Sequence, residues 1–407
     1  MKKMEAVMEA LLADERVRKA LAFLRDDEDR KRADLKEMVL VSGAPHTEPE
    51  IRSPMFLGRL EAAGLGDCFT DEVGNVFGFV RGRETERVLV EAHMDTVFGK
   101  NVPLSLTEDE DGVLRCPGIA DNTASMATEL SVVRAIRACG LSPVKTLMFG
   151  GTVGEEAPGE ARGVRHLMET QKNLAAYLCL DSGHDFDIIR GAVSCKRHEI
   201  TLKGPGGHSW NNWGRVNPVH ALGRAIAMIA DIEPEQHVKT TYNVGLVAGG
   251  TSVNSIASQA SMHVDIRSLD DVEKARLEAR ILDCVKRAVD EENRRHPGSA
   301  PLTVVDRPYG DKPGGSVPED SLIVQAALAS ARAVEVERHI CPPSSTNANF
   351  PISAGIPALC VNSNGRCGNM HSPDEWYDPQ DSWKGAQALL LLIFALAGLE
   401  GATEPLL

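Results

Sequence analysis

A histidine and an aspartate stand two residues apart after an apolar run of this 407-residue chain. The run is 88–91, and the pair is His93 and Asp95. In an extended chain alternate side chains point to the same side, so these two face one way. A histidine with a carboxylate behind it is a common arrangement at metal sites. The pair therefore predicts a metal ligand, although a polar strand end that binds nothing fits the same pattern.

Two acidic motifs follow. Asp121 lies in the segment GIADNT at 118–123, where its carboxylate could bridge two cations or merely cap the next helix. Glu155 and Glu156 lie in GTVGEEAPG at 151–159. Their side chains point in different directions, so one could bind metal while its neighbour faces a substrate. A charged loop tip is the alternative.

The remaining candidates lie near the ends of later apolar runs. Asp181 ends such a run in LDSGH at 180–184, and a buried carboxylate needs a partner charge, which a metal supplies. His184 is a competing ligand candidate. His371 follows a Gly/Asn loop and precedes an expected helix start at 372–375, or it is only a loop histidine. The combined set of imidazoles and carboxylates suits hard and borderline cations, including Zn²⁺.

The elements that must position these residues alternate between strands and helices. This order predicts an α/β fold with a mixed, mostly parallel sheet, whose ligands bind beyond the carboxyl ends of the strands. Apolar side chains at helical spacing predict a helix that contains Met126, Leu130, Val133 and Ile136. The predicted strands are 88–91, 146–149, 177–180 and 358–361.

Residues 193–314 follow a different pattern, β-α-β-β-α-β, which is the ferredoxin-like split unit. We interpret them as a domain inserted into a catalytic domain made of residues 1–192 and 315–407, with hinges at Gly191 and within 310–318. We expect one or two amphipathic helices over 4–40.

Composition excludes some classes of function. The net charge is −14, which argues against nucleic acid as the main partner, and aromatic residues are only 4%. No apolar run approaches the length of a membrane helix, and the longest, 386–396, predicts a buried helix. Nine cysteines without a CxxC pair and a charged N-terminal segment favour a cytoplasmic protein with reduced thiols.

Six motifs appear together in an order that resembles the M20 metallopeptidases, the group of tripeptidase T, carboxypeptidase G2 and acetylornithine deacetylase. The resemblance extends from about Val88 to Asp378 and includes the inserted domain. The motifs are HMD (93–95), GIADN (118–122), GEE (154–156), LD (180–181), GPGGHS (204–209) and MHSP (370–373).

The resemblance implies a pair of zinc ions, with cobalt or manganese as substitutes. His93 would bind one ion and His371 the other, and Asp121 would bridge them. It further implies one carboxylate ligand for each ion, an orienting carboxylate, a general base and a cis peptide bond. These are, in order, Glu156 and Asp181 as ligands, Asp95 behind His93, Glu155 as the base, and the bond between Asp121 and Asn122.

The inserted domain would supply substrate contacts. In the family a histidine matching His208 stabilises the oxyanion in the partner subunit's site, which implies a homodimer joined through 193–314. Asn254 and Arg267 match substrate anchors, and Asn347 stands where many relatives have aspartate. From the residues alone, His208 is a turn histidine, and Arg267 pairs with a nearby aspartate.

The resemblance implies hydrolysis of an amide bond in short peptides by a di-zinc exopeptidase of the tripeptidase or aminopeptidase kind. An aspartate at position 181 favours the dipeptidase and tripeptidase branch. The alternatives are an N-acyl amino acid deacylase of the same family and a non-catalytic metal- or ligand-binding protein on the same fold.

Overall fold

The computed structural model describes residues 2–183, 187–336, 339–362 and 365–407. The chain divides into two compact units. The first comprises the residues up to Ala192 together with Ser316–Leu407, and the second comprises Val193–Gly315.

Helices occur throughout the described chain. They are α1 (Lys2–Ala13), α2 (Glu15–Asp26), α3 (Glu28–Val39), α4 (Arg52–Ala62), α5 (Ser125–Ala138), α6 (Arg162–Thr170), α7 (Pro218–Ala230), α8 (Asp271–Arg295), α9 (Leu322–Ala333), α10 (Asn349–Ser353) and α11 (Ser382–Ala397).

The strands vary from two to ten residues. They are β1 (Gly66–Thr70), β2 (Val76–Val80), β3 (Glu84–His93), β4 (Thr107–Glu108), β5 (Leu114–Arg115), β6 (Lys145–Thr152), β7 (Leu174–Leu180), β8 (Ile188–Ile189), β9 (Gly191–Ala192), β10 (Ser194–Lys203), β11 (Gly207–His208), β12 (Thr240–Gly249), β13 (Ser255–Ile256), β14 (Gln259–Ser268), β15 (Thr303–Lys312), β16 (Gly315–Ser316), β17 (Ile340–Cys341), β18 (Ala358–Val361), β19 (Arg366–Gly368) and β20 (Trp376–Asp378).

The main sheet of the first unit is mixed and mostly parallel, as the alternating pattern predicts. Within the described residues its order is β1-β2-β6-β3-β7-β18-β8-β17. The central strands β6, β3, β7 and β18 are parallel neighbours, whereas β1 and β2 form an antiparallel hairpin at one edge. His93 lies opposite Thr152, and Ala92 lies opposite Leu180, so three strands end at one level.

Apolar sequence explains why these elements are central. All eight residues of β6 are buried, as expected for a parallel strand covered on both faces. Helix α5 buries the predicted stripe that contains Met126 and Ile136. Helix α11 is buried over Gly385–Ala397, which explains why its sequence is apolar on every side.

Some expectations about the elements were wrong. The N-terminal region contains three helices rather than one or two. Residues 372–375 form a turn instead of a helix start, because the strand β20 follows at once and pairs with β5. His371, at the head of this turn, has a φ of 64°, a left-handed conformation that does not begin an α-helix.

The second unit is built on an antiparallel sheet of order β12-β14-β10-β15. Its long elements follow one another as strand, helix, strand, strand, helix, strand. Alternate residues of β14, including Met262 and Val264, are buried together with Ile281 of α8. Gly310, placed within a predicted hinge, lies in β15.

Among the residues that the structure describes, no helix combines the length and the apolar character needed to cross a membrane.

Candidate metal centre

His93 lies at the carboxyl end of β3, where its side chain is 1% exposed. Its Nε2 atom is 2.9 Å from Oδ1 of Asp121, and its Nδ1 atom is 3.0 Å from the main-chain oxygen of Asp95. The carboxylate of Asp95 is farther away, at 3.6 Å from Nδ1. The carbonyl therefore accepts the Nδ1 proton, and Nε2 faces Asp121.

Asp121 is presented by an irregular turn over Ile119–Ala124 that precedes α5. Its backbone is not helical, and its peptide bond to Asn122 is cis, which confirms that prediction. The capping alternative is wrong, because α5 starts at Ser125 and the Asp121 carboxylate faces two histidines instead.

The second of these histidines is His371. Its Nε2 atom lies 3.1 Å from Oδ2 of Asp121 and 2.8 Å from Oε1 of Glu156. The two oxygens of one carboxylate thus face two imidazoles from opposite sides. His371 is the more accessible histidine, with 55% of its side chain exposed.

Asp181 completes the cluster on the side of His93. It follows β7, and its Oδ1 atom lies 3.7 Å from Nε2 of His93. One imidazole therefore has Asp181 beside it, the other has Glu156, and Asp121 lies between them. His184, the competing candidate, lies outside the described residues.

A tight turn after β6 presents the two glutamates. Gly154 adopts a φ of 66°, a conformation that glycine supplies without strain. The carboxylate of Asp95 accepts the main-chain amides of Glu155 at 3.0 Å and Glu156 at 2.8 Å. Asp95 therefore orients the turn as well as standing behind His93. Glu155 is buried.

Electrostatics around the imidazoles is dominated by the carboxylates. Hydrogen bonds to Asp121 and Glu156 raise the pKa of His371 to about 10. Burial alone would lower the pKa of His93, but the nearby carboxylates of Asp121, Asp181 and Asp95 raise it well above its ordinary value. Hydrogen bonds to both histidines lower the pKa of Asp121 in spite of its burial. The cluster is therefore a place of concentrated negative charge that favours cations.

The donor set fits divalent cations. Ligand atoms of His93, Asp121 and Glu156 all lie within 4.8 Å of one another. Nitrogen and carboxylate oxygen are the donors that zinc accepts, and manganese and cobalt accept them too.

Two buried ionic residues near the cluster were not anticipated from the sequence. Arg52 donates from Nη1 to the main-chain oxygen of Met94 at 2.9 Å and from Nη2 to Thr123 at 3.3 Å. Burial lowers the pKa of Arg52 to about 10. Glu375 accepts hydrogen bonds from main-chain amides in the turn before α5. Neither belongs to a short motif, so only long-range contacts reveal them.

Asn347 lies deeper than its predicted role in substrate binding suggests. It is 1% exposed, and its Nδ2 atom donates to Thr152 at 2.9 Å and faces Glu91 at 3.4 Å. Glu91 also accepts hydrogen bonds from Thr152 and Tyr177. Asn347 therefore belongs to a buried polar network that includes Glu91, which lies two residues before His93 on β3.

The second unit brings together two of its three predicted site residues. His208 and Asn254 lie at one end of the β11–β13 ribbon, where the Ser209 amide donates to the Asn254 carbonyl at 2.9 Å. Arg267 lies on β14, and its Nε atom donates to Asp265 at 2.7 Å, the ion pair expected from the residues alone.

Curated relatives include a probable carboxypeptidase of Talaromyces marneffei, 27% identical over 293 residues. That alignment covers 63% of this chain and 58% of the relative, so the chain spans little more than half of that protein. The acetylornithine deacetylase of Shigella sonnei is 26% identical over 312 residues, which cover 73% of this chain and 77% of the relative.

Solved structures with the same fold include aminopeptidase PepT of Bacillus cereus, with a TM-score of 0.72 and 20% identity over 90% of this chain and 98% of that one. A tripeptidase of Staphylococcus aureus also has a TM-score of 0.72, with 22% identity and coverage of 90% and 97%. A dinuclear metal-binding peptidase of the M20 family from Bacillus subtilis has a TM-score of 0.66, with 16% identity and coverage of 92% and 99%.

A family model for peptidase family M20/M25/M40 matches residues 89–395, which include the motifs of the metal centre. This chain therefore belongs to peptidase family M20/M25/M40.

Proposed function

We propose that the protein is a di-zinc exopeptidase that hydrolyses an amide bond in short peptides, in the manner of a tripeptidase or aminopeptidase. The observation that carries this proposal is one carboxylate, Asp121, whose two oxygens face His93 and His371. An arrangement of this kind suits two cations that share a ligand.

In the proposed centre, His93 and Asp181 hold one ion, His371 and Glu156 hold the other, and Asp121 is shared. When bound, two such ions supply a water of lowered pKa and a Lewis acid for a carbonyl oxygen.

Glu155 is the proposed general base. It is adjacent to the ligand Glu156, and Asp95 holds the amides of both residues, so its backbone is fixed relative to the ligand. A carboxylate held in this way can accept a proton from water and pass it to the departing nitrogen.

His208 is the proposed donor to the developing oxyanion. Its Nδ1 atom accepts the main-chain amide of Trp210 at 3.2 Å. The neutral ring therefore carries its proton on Nε2, the tautomer that can donate a hydrogen bond to substrate. Asn254, next to His208, and Arg267 are the proposed anchors for the substrate main chain or carboxylate.

A homodimer through the second unit is part of this proposal. The edge strand β12 exposes Leu246 and Val247, and edge strands with exposed apolar side chains are templates for pairing with another chain.

An N-acyl amino acid deacylase is the second candidate, because the chain aligns with most of the length of the Shigella relative, an acetylornithine deacetylase. The test compares hydrolysis of a free-amine tripeptide with hydrolysis of an N-acetyl amino acid by zinc-reconstituted protein. We expect the tripeptide to be cleaved with the higher kcat/KM. Turnover of the acylated compound alone would contradict the peptidase proposal and support the deacylase.

A further inference from the structure

Glu375 is a fully buried carboxylate that binds the backbone of the turn presenting Asp121. Its Oε1 atom accepts the amides of Ala120 at 2.8 Å and Asp121 at 2.9 Å, and its Oε2 atom accepts the amide of Gly118 at 3.0 Å. One side chain thus accepts three main-chain amides of the turn, and this fixes the turn firmly.

The turn has a shape that depends on such an acceptor. Gly118 has a φ of 77°, and a Cβ atom there would lie 2.6 Å from Cγ2 of Thr96. Asp121 departs from helical geometry within the turn, so its amide is not satisfied by a helix. The Glu375 side chain supplies the missing acceptor.

The loop that contains Glu375 also carries His371. The Glu375 amide donates to the Ser372 carbonyl at 3.1 Å, and the Cys116 amide donates to the Glu375 carbonyl at 3.2 Å. This short loop thus joins His371, a candidate ligand of one ion, to Glu375, which binds the backbone of the turn that presents Asp121. Displacing Glu375 would disturb Asp121 and His371 together.

We propose that Glu375 is a positioning residue that fixes the Asp121 carboxylate between His93 and His371 and thereby sets the affinity for the second cation. This inference rests on the paired-metal centre of the proposed function. Glu375 is not one of the proposed metal ligands; its two oxygens accept main-chain amides of the turn instead.

The test is a calorimetric titration of metal-free, full-length protein with Zn²⁺, for the wild type and for Glu375→Gln. In the variant an amide NH₂ group replaces one acceptor oxygen and opposes a main-chain N–H. We expect the second ion to bind about 10–100-fold more weakly, the range seen when groups that orient metal ligands are removed. The first ion shares Asp121 but is also held by His93 and Asp181, so we expect it to lose less affinity.

Glu292→Gln is the matched control. Glu292 is also fully buried and also accepts a main-chain amide, that of Asn217 at 2.9 Å, but it lies in the second unit. We expect this control to lower the melting temperature of the metal-free protein and to leave both zinc affinities unchanged. Two ions bound by Glu375→Gln with wild-type affinity would overturn the positioning role.

Two further outcomes separate the possible failures. If the wild type itself binds fewer than two ions, the paired-metal proposal fails and Glu375 has nothing to position. If Glu375→Gln does not fold, Glu375→Asp decides, because it keeps the charge on a shorter side chain. We then expect folded protein with an intermediate affinity for the second ion, and a wild-type affinity would refute the proposal.

Discussion

Asp95 connects three parts of the candidate centre through one side chain. Its carboxylate accepts the amides of Glu155 and Glu156 and lies 3.6 Å from the ring of His93. The proposed base and a proposed ligand therefore depend on the same acceptor for their position. This dependence makes Asp95 a sensitive point for metal binding.

We expect Asp95→Asn to weaken zinc binding about 10–100-fold, because the amide cannot accept both main-chain protons and adds an N–H that opposes one of them. The measurement is competition against a chromophoric chelator. Asp71→Asn is the control, since Asp71 accepts the amides of Val73, Gly74 and Asn75 outside the centre. Equal zinc affinity in the Asp95 variant and the wild type would contradict this role.

Glu155→Gln should retain two zinc ions and lose about 10²–10⁴-fold in kcat, because a general base is removed while the metal ligands remain. Metal content is measured by atomic spectroscopy and kcat with the tripeptide substrate. Glu160→Gln, an exposed change near the same turn, should behave as wild type. Unchanged kcat would reject Glu155 as the base and favour a non-catalytic metal-binding protein. Loss of zinc would make Glu155 a ligand instead.

At the scale of elements, helix α5 carries an unusual buried acid. Glu129 is fully buried on α5, and burial together with the nearby Glu91 carboxylate raises its pKa well above the ordinary 4.5. Because of this raised pKa, Glu129 keeps a proton in the folded protein that it releases above pH 4.5 in the unfolded chain. Rising pH therefore lowers the free energy of unfolding over the window above that value.

We expect Glu129→Gln to remove this decrease in the free energy of unfolding at higher pH. The variant should gain stability relative to the wild type by up to about 1.4 kcal/mol per pH unit as pH rises above about 5. The measurement is urea unfolding at a series of pH values, with the exposed Glu61→Gln on α4 as control. A stability difference that does not change with pH would show that Glu129 is charged in the folded protein.

The elements that could be predicted are those whose own side chains define them. β18 begins and ends where its apolar run predicts, at Ala358–Val361. The hairpin of β1 and β2 was not predicted, since GDCFT and VFGFV do not alternate cleanly and the hairpin joins the sheet only through the pairing of β2 with β6.

The same distinction holds for the site. His93 and Asp181 follow apolar strands, so their neighbours in sequence reveal where they lie. Glu375 and Arg52 could not be found in this way, because the groups they bind around the cluster lie far along the chain. Sequence patterns give side-chain periodicity but carry no record of which amide meets which carboxylate.

At the scale of the whole molecule, the origin of the proposed oxyanion donor, His208, is testable. If His208 acts in the partner subunit's site, two inactive variants should complement each other. Glu155→Gln supplies an intact His208, and His208→Ala supplies an intact Glu155. After unfolding and refolding as a mixture, about half of the dimers pair unlike chains, and we expect about one quarter of the wild-type activity.

The controls are each variant refolded alone, which should stay inactive. Light scattering on the same samples reports whether dimers form. If the refolded mixture is dimeric but recovers no activity, His208 acts in the site of its own chain.

The strand order of the main sheet has a consequence for synthesis of the protein. β18 is made long after β7 and β8, yet it lies between them, and His371 comes later still. A nascent chain on the ribosome therefore has a gap in its sheet until residue 361 emerges, and it has one imidazole of the pair until residue 371 follows. In the proposed centre, a second ion can therefore bind only after residue 371 has been made, so its uptake follows the synthesis of β18.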